Sequence, residues 1–249
     1  MLRRQFDALE AIVNLVGRGE AHSSAPLLRP ACEEFLWVKY LGTLKPELRE
    51  VIVLQKSQIE TADTLDVQRT YAGDKLMEEF GFTTTFMDAL RKNRSSAQLK
   101  LKVVKKQLKW PTKPEFLPSA NFLARVTNEK ELYDLIYHAT SRTVHFTVSE
   151  LLRRAWGDSK EVTISSRHMH RYWSKFSLYW RCRLFFFTFV EIAQAFESQG
   201  VPLPNFADET LFESLMKEFA APGMMPIITP HEMNMHIPVD QRHLFINSA

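Results

Sequence analysis

Apolar residues recur at spacings of three and four along most of the chain, the pattern of amphipathic helices. Over residues 2–18 this pattern predicts a helix, which Gly17 and Gly19 end. The same pattern predicts five more helices, at 24–42, 85–109, 129–156, 166–198 and 208–220. A further helical pattern begins at Thr43 and continues to about Phe80. Only residues 161–165 favour a short extended piece. The sequence therefore predicts an all-α protein, a single bundle of six or seven helices.

Prolines and glycines divide the chain. Pro30 falls inside the predicted helix 24–42, so it either kinks that helix or marks its true start. Residues 110–127 contain three prolines, which predict a loop and a possible domain boundary. Because the helices on both sides are apolar on wide faces, we expect one bundle domain over residues 1–221. The Pro- and Met-rich residues 222–249 are expected to form an extended tail.

Composition excludes several protein classes. Hydrophobic residues make up 45% and charged residues 24% of the 249 residues, so the chain is neither disordered nor low in complexity. The scarcity of Gly (8) beside 18 Phe favours a helical, aromatic-rich core. Cys32 and Cys182 follow no metal or redox spacing, and the apolar run Leu184–Val190 is too short for a membrane span. We expect a cytoplasmic protein without membrane association.

The common motifs of nucleotide, metal and hydrolase chemistry are absent. The sequence has no phosphate-binding Gly-x-x-x-x-Gly-Lys, no Gly-x-Gly-x-x-Gly, no His-Glu-x-x-His, no Cys-x-x-Cys and no Gly-x-Ser-x-Gly. Their absence disfavours nucleotide-driven motors, Rossmann enzymes, zincins and hydrolase-fold esterases. We therefore predict neither a cofactor nor a metal.

The first candidate site lies on the predicted helix 129–156. Tyr137, Ser141 and His145 follow one another at intervals of four, among residues of the apolar face. A buried hydroxyl or imidazole needs a hydrogen-bond partner, and Arg29 and Glu33, one turn apart on the helix 24–42, would supply one. Two interpretations stay open. The cluster is a structural polar network, or His145 acts as an acid or base while Arg29 or Arg142 stabilises an anion.

The second candidate site is basic. Residues 91–113 contain nine positive charges and no acidic residue. Such a surface neutralises phosphates, although a solvated face or a docking surface for an acidic protein explains it as well. The predicted nucleic-acid-binding residues are Arg91, Lys92, Arg94, Lys102, Lys105, Lys106 and Lys109. In the second basic stretch, 165–183, the aromatics recur at helical spacing and are interpreted as core.

The residues Leu28-Arg29-Pro30-Ala31-Cys32-Glu33, with Tyr137-x-x-x-Ser141-x-x-Val144-His145, carry a family resemblance over about residues 1–198. The chain resembles a bacterial all-helical family of unknown function that is similar to the HEPN (higher eukaryote and prokaryote nucleotide-binding) bundles. This resemblance implies a helical bundle and a role in antiphage defence. HEPN proteins are often dimeric, metal-independent endoribonucleases with an Arg, four to six residues and a His. Here Arg142 precedes His145 by three, so Arg29 would have to replace the motif arginine in space.

Three functional hypotheses follow, of which the third is small-molecule or nucleotide sensing in an aromatic-lined pocket between the helices 24–42, 129–156 and 166–198. The first is a HEPN-like effector of a bacterial defence or toxin system, a metal-independent endoribonuclease that binds RNA through residues 91–113. The second is a non-catalytic adaptor that holds a partner enzyme of a defence complex. The expected partners are RNA and either a second copy of the chain or a defence protein.

Overall fold

The computed structural model describes residues 1–111, 117–144, 155–157, 162–165, 169–201 and 209–220. The chain forms two compact units. The first combines Met1–Lys39 with the residues from Thr127 onward, and the second is Tyr40–Val126. The predicted division into a bundle over 1–221 and a tail over 222–249 stays a prediction, and the tail lies outside the described residues.

The described residues form ten α-helices, one 3₁₀ turn and one two-stranded antiparallel hairpin. In chain order the elements are α1 (Leu2–Gly17), α2 (Ala21–Ser24), the 3₁₀ turn (Ala25–Leu27), α3 (Leu28–Gly42), α4 (Pro46–Ala72), α5 (Asp74–Glu79), α6 (Thr84–Gln107), α7 (Ala120–Val126), α8 (Lys130–Val144), β1 (Ala155–Gly157), β2 (Val162–Ile164), α9 (His170–Glu197) and α10 (Glu209–Ala220). The predicted all-α class is confirmed. No described helix is long and apolar enough to span a membrane.

The small hairpin corrects one predicted helix and confirms an extended segment. β1 pairs with β2, with Trp156 opposite Thr163. The prediction that the helix from 129 continues to Trp156 is therefore wrong, because residues 155–157 are extended. The expected extended piece at 161–165 is confirmed by β2, whose Val-Thr-Ile sequence is β-branched throughout.

Other element boundaries also differ from the prediction. Pro30 lies in the first turn of α3, so of its two predicted roles the one as a start signal is confirmed. Gly73, with a φ of 82°, separates α4 from α5 where one continuous helix was predicted. The predicted loop over 110–127 contains α7, since all three of its prolines precede Ser119. The hydroxyl of Ser119 accepts a hydrogen bond from Phe122 N (3.3 Å) at the start of this helix.

Two glycines end helices as predicted. After α1, Gly19 N donates to Val16 O (3.0 Å) and Glu20 N donates to Leu15 O (2.8 Å). This pair of bonds defines a Schellman motif, which needs a left-handed residue at Gly19, where φ is 80°. Gly200 ends α9 with the same motif.

The core of the first unit is aromatic, which agrees with the interpretation of the aromatics in 165–183 as core. On α9, Trp173, Phe176 and Trp180 are buried. The ring centres of Phe176 and Trp180, one turn apart, lie 6.3 Å from each other. The hydrophobic effect of burying such rings is the main contribution to packing here.

A buried polar network joins three helices of the first unit. Gln5 of α1 is fully buried, and its Nε2 donates to Ala31 O (3.0 Å) and to Glu34 Oε2 (2.9 Å) of α3. Arg181 of α9, 1% exposed, donates from Nη2 to Gln5 O. Burial lowers the pKa of Arg181 to about 10, and the negative charge of Glu34 partly opposes this shift. The network was not anticipated from the sequence.

We expect Gln5→Ala to lower the free energy of unfolding by about 1–3 kcal/mol, because it removes two hydrogen bonds to α3, one of them to a charged carboxylate. Urea denaturation followed by circular dichroism measures the change. The matched control is Asn14→Ala, an exposed amide on the same helix, which should change stability by about 0.5 kcal/mol or less. Equal stability of the two variants would contradict a supporting role for Gln5.

Candidate functional site

The first candidate site is built on α3 and α8. Arg29 Nε lies 3.1 Å from Glu33 Oε1, one helical turn away. The guanidinium carbon of Arg29 lies 4.6 Å from the ring centre of Tyr137, so the ion pair is stacked on an aromatic face. The Arg29 and Glu33 side chains are 30% and 37% exposed, so solvent and solutes reach them. The structure thus brings together three of the predicted site residues.

Tyr133 joins this cluster, although it was not among the predicted site residues. Its ring centre lies 5.6 Å from that of Tyr137, one turn along α8. Burial raises the pKa of Tyr133, the nearby Glu33 raises it further, and Arg29 lowers it. A neutral phenol therefore lies beside the carboxylate at neutral pH. The four-residue spacing from Tyr133 to Tyr137 was the sequence signal for this neighbour.

The remaining predicted residues of this cluster are described only in part. Ser141 is half-buried on α8, one turn beyond Tyr137. Arg142 belongs to α8, but its side chain lies outside the described residues, as does all of His145. The contact between His145 and Arg29 stays a prediction.

An ion-pair group at the other end of α3 connects the same helices. Lys39 Nζ lies 2.5 Å from Glu129 Oε1, just before α8, and 3.8 Å from Glu191 Oε1 of α9. Lys39 is ten residues beyond Arg29, and Glu129 is eight before Tyr137. α3 and α8 therefore run antiparallel, and contacts near both ends hold Arg29 against Tyr137.

Cys32, on α3 beside Glu33, is unsuited to nucleophilic chemistry. Burial raises the pKa of its thiol to about 12, and the charges of Glu33 and Glu129 raise it in the same direction. Because the thiolate is the reactive form, the thiol is inert at neutral pH.

We expect Cys32 to react with a thiol reagent such as DTNB far more slowly at pH 8 in the folded protein than after unfolding in guanidinium, since burial and the raised pKa both suppress the thiolate. The measurement uses Cys182→Ala so that one thiol remains. Cys32→Ala/Cys182→Ala, which has no thiol, is the control for background colour. Equally fast reaction in the folded and unfolded states would show that the thiol is accessible.

The second candidate site lies in the second unit, where α6 packs against α4. Arg91 Nη2 lies 3.0 Å from Asp66 Oδ1, and Arg94 Nη2 lies 2.6 Å from Asp63 Oδ1. These pairs show that α4 and α6 run antiparallel. Residues 91–113 contain no acidic residue, but folding places carboxylates of α4 beside Arg91 and Arg94. Arg91 and Arg94 are engaged within the fold.

A pocket of about 480 Å³ lies at the end of α6. Four lysines, with Val103 and Trp110, line this lysine pocket: Lys102, Lys105, Lys106 and Lys109. Lys102, Lys105 and Lys106 lie on one side of the last two turns of α6, and Lys109 follows in the turn after the helix. Of the predicted nucleic-acid-binding residues, the structure thus gathers these four and leaves Lys92 exposed elsewhere on α6.

Trp110 forms the buried side of the lysine pocket. Its Nε1 donates to Tyr40 Oη (2.6 Å). Burial raises the pKa of Tyr40, and the bond from Trp110 opposes that shift. The turn that delivers Trp110 is a Schellman motif in which Lys109 is left-handed (φ 52°), and Trp110 N donates to Lys105 O (3.0 Å).

Comparison with known families gives one match. The model of a family of unknown function, DUF5677, matches residues 1–162, about two thirds of the chain. The chain belongs to the DUF5677 family. This agrees with the resemblance to a family of unknown function, whereas the likeness to HEPN proteins stays a prediction. No curated protein and no solved structure matches the chain.

Both candidate sites lie within the region that matches DUF5677. The Arg29 cluster consists of Arg29, Glu33, Tyr133 and Tyr137, and the lysine pocket is lined by residues between 102 and 110. All of them precede residue 162. Arg181, whose side chain is buried against α1, lies beyond residue 162.

Proposed function

We propose that this DUF5677 protein is a helical RNA-binding effector of a bacterial defence or toxin system, with the lysine pocket as its phosphate-binding site. One observation carries the proposal: four lysines line a single pocket at the end of α6. Phosphate oxygens are the ligands that such a group of ammonium ions attracts most strongly.

The apolar part of the pocket favours nucleic acid over a small inorganic anion. Val103 and Trp110 provide carbon surface beside the ammonium groups. A nucleotide presents both a phosphate and a base or sugar surface, so it matches a wall of this mixed character. Arg91 and Arg94 are left out of the proposed contact because Asp66 and Asp63 engage them.

The catalytic part of the proposal concerns the Arg29 cluster. Glu33 and Tyr137 hold the Arg29 guanidinium in a solvent-accessible position, where it would stabilise charge developing on a phosphate. His145 would accept the proton of a ribose 2′-hydroxyl as that oxygen attacks the adjacent phosphorus. The leaving 5′-oxygen would then take a proton from His145. This chemistry needs no metal.

We expect the triple variant Lys102→Gln/Lys106→Gln/Lys109→Gln to bind single-stranded RNA more weakly and with less dependence on salt. Loss of three phosphate contacts lowers the slope of log affinity against log salt concentration by about 2. Fluorescence anisotropy with a labelled oligonucleotide, from low to physiological salt, measures both effects.

The control for that measurement is Lys75→Gln/Lys175→Gln/Lys217→Gln, which removes the same charge from exposed residues that do not line the pocket. Its salt slope should stay close to that of the wild type. If the two triple variants weaken binding equally, the contact with RNA depends on net charge alone and the lysine pocket is not the site.

We expect His145→Ala to abolish RNA cleavage, or growth arrest on expression, while binding to RNA is retained. His138→Ala is the matched control, because His138 is an exposed histidine of α8. Circular dichroism checks that both variants fold. Cleavage by His145→Ala at the wild-type rate would exclude the catalytic role of His145, whereas a wild type that neither cleaves RNA nor arrests growth would favour the non-catalytic adaptor.

A further inference from the structure

One face of α9 carries buried hydrogen-bond donors for which the described part of the chain provides no acceptor. These donors are Trp173 Nε1, Ser177 Oγ, Trp180 Nε1, and both Nε and Nη1 of Arg181. All four residues are 3% exposed or less. Buried polar groups in proteins almost always have a hydrogen-bond partner, so several unpartnered donors on one helix face indicate a bound acceptor.

Three of these donors project toward the same turn of α9. Ser177, Trp180 and Arg181 are three and four residues apart and therefore lie on one side of the helix. Long helical side chains lean toward the N-terminus, so the indole and the guanidinium extend back over the turn that contains Ser177. The Trp180 ring shows this direction, since its centre lies 6.3 Å from that of Phe176 in that turn.

The hydroxyl of Ser177 differs from the other hydroxyls of α9. Those of Ser174 and Thr188 each donate to the carbonyl oxygen four residues earlier, at 2.7 Å. That bond is the usual way in which a helix satisfies a serine or threonine side chain. Ser177 is fully buried and does not form it. Its hydroxyl is therefore available to an acceptor from outside the helix.

The charge of Arg181 is also incompletely balanced. Its Nη2 donates to the backbone carbonyl of Gln5, and no described carboxylate contacts the guanidinium directly. Glu34 is near, but its oxygens accept from Gln5 Nε2 (2.9 Å) and lie 2.7 Å from Arg4 Nε. Burial lowers the pKa of Arg181 to about 10, so the side chain remains charged at neutral pH. Two guanidinium groups thus share one carboxylate.

We propose that the first unit binds a chloride ion in its core, held by the Ser177 hydroxyl, the Trp180 indole N–H and the Arg181 guanidinium. Indole and guanidinium groups only donate hydrogen bonds, so they require an acceptor and exclude a cation. A single negative charge matches the one excess positive charge. A monatomic ion also suits this packed region, where Phe176 and Leu184 are fully buried. The site does not rest on the proposed function, because no lysine of the lysine pocket contributes to it.

Bromide tests the site because it binds where chloride does and quenches indole fluorescence on contact. The full-length protein is titrated with sodium bromide, and sodium gluconate keeps the ionic strength constant. Bromide bound beside Trp180 should quench part of the tryptophan emission along a saturable curve, and added chloride should reverse that part. Collisional quenching of exposed tryptophans rises linearly and is thereby separated. Trp180→Phe should lose the saturable part.

Two variants of matched burial test the ligands. Ser177→Ala should raise the dissociation constant of bromide at least about tenfold, because it removes one hydrogen bond to an anion. Thr188→Val also removes a buried hydroxyl from α9, but one with an acceptor of its own, and should leave the constant unchanged. Arg181→Met should abolish saturable quenching. Circular dichroism checks folding, and Ser177→Ala decides the question if Arg181→Met does not fold.

The proposal is wrong if bromide quenches the wild type without saturation, or if Ser177→Ala and Thr188→Val bind bromide equally. Water would then be the acceptor for the buried donors, as it is at many internal polar sites of proteins. The variants in the lysine pocket keep all three chloride ligands, so a failure of RNA binding and a failure of chloride binding are observed separately.

Discussion

The first unit depends on how one buried guanidinium is accommodated. Arg181 lies in the aromatic core on α9, where a charge is costly because the surrounding side chains are a poor substitute for water. The backbone carbonyl of Gln5 accepts a hydrogen bond from Arg181. The side chain of Gln5 donates to Ala31 and Glu34, so it links α1 to α3. The relative positions of α1, α3 and α9 are set by these bonds in addition to apolar contacts, which tolerate sliding.

The position of α3 in turn determines the candidate site. Arg29 can stack on Tyr137 only if α3 and α8 keep their antiparallel register, and the Lys39–Glu129 pair at the far end maintains it. Glu34 faces Gln5 and the core, whereas Glu33, one residue earlier, faces Arg29 and solvent. Adjacent carboxylates on one helix therefore have separate tasks. Glu34 supports the fold, and Glu33 holds the solvent-accessible guanidinium of Arg29.

Sequence reasoning succeeded where local rules decide and failed where distant residues meet. The ends of α1 and α9 were predictable because Gly19 and Gly200 supply the left-handed residue of a Schellman motif. The same residue type at Gly73 was missed, since one glycine in a helical pattern costs only about 1 kcal/mol and need not break it. The pairs Arg91–Asp66 and Gln5–Arg181 span 25 and 176 residues, and no periodicity reveals such contacts. For the Arg29 cluster, four-residue spacing relates Tyr133 to Tyr137 on α8 but could not show that Tyr133 lies near Glu33 of α3.

The arginines and the lysines of α6 differ in their contacts. Arg91 and Arg94 form ion pairs with Asp66 and Asp63, and a guanidinium suits such directed contacts with a carboxylate. Beyond Arg94 every base of α6 is a lysine, whose flexible, strongly hydrated ammonium acts as a point charge rather than as a planar, directed donor. The arginines therefore attach α6 to α4 and thereby position the lysine pocket. Positive charge counted along the sequence overstates the surface that a polyanion can use, because part of it has already been neutralised by folding.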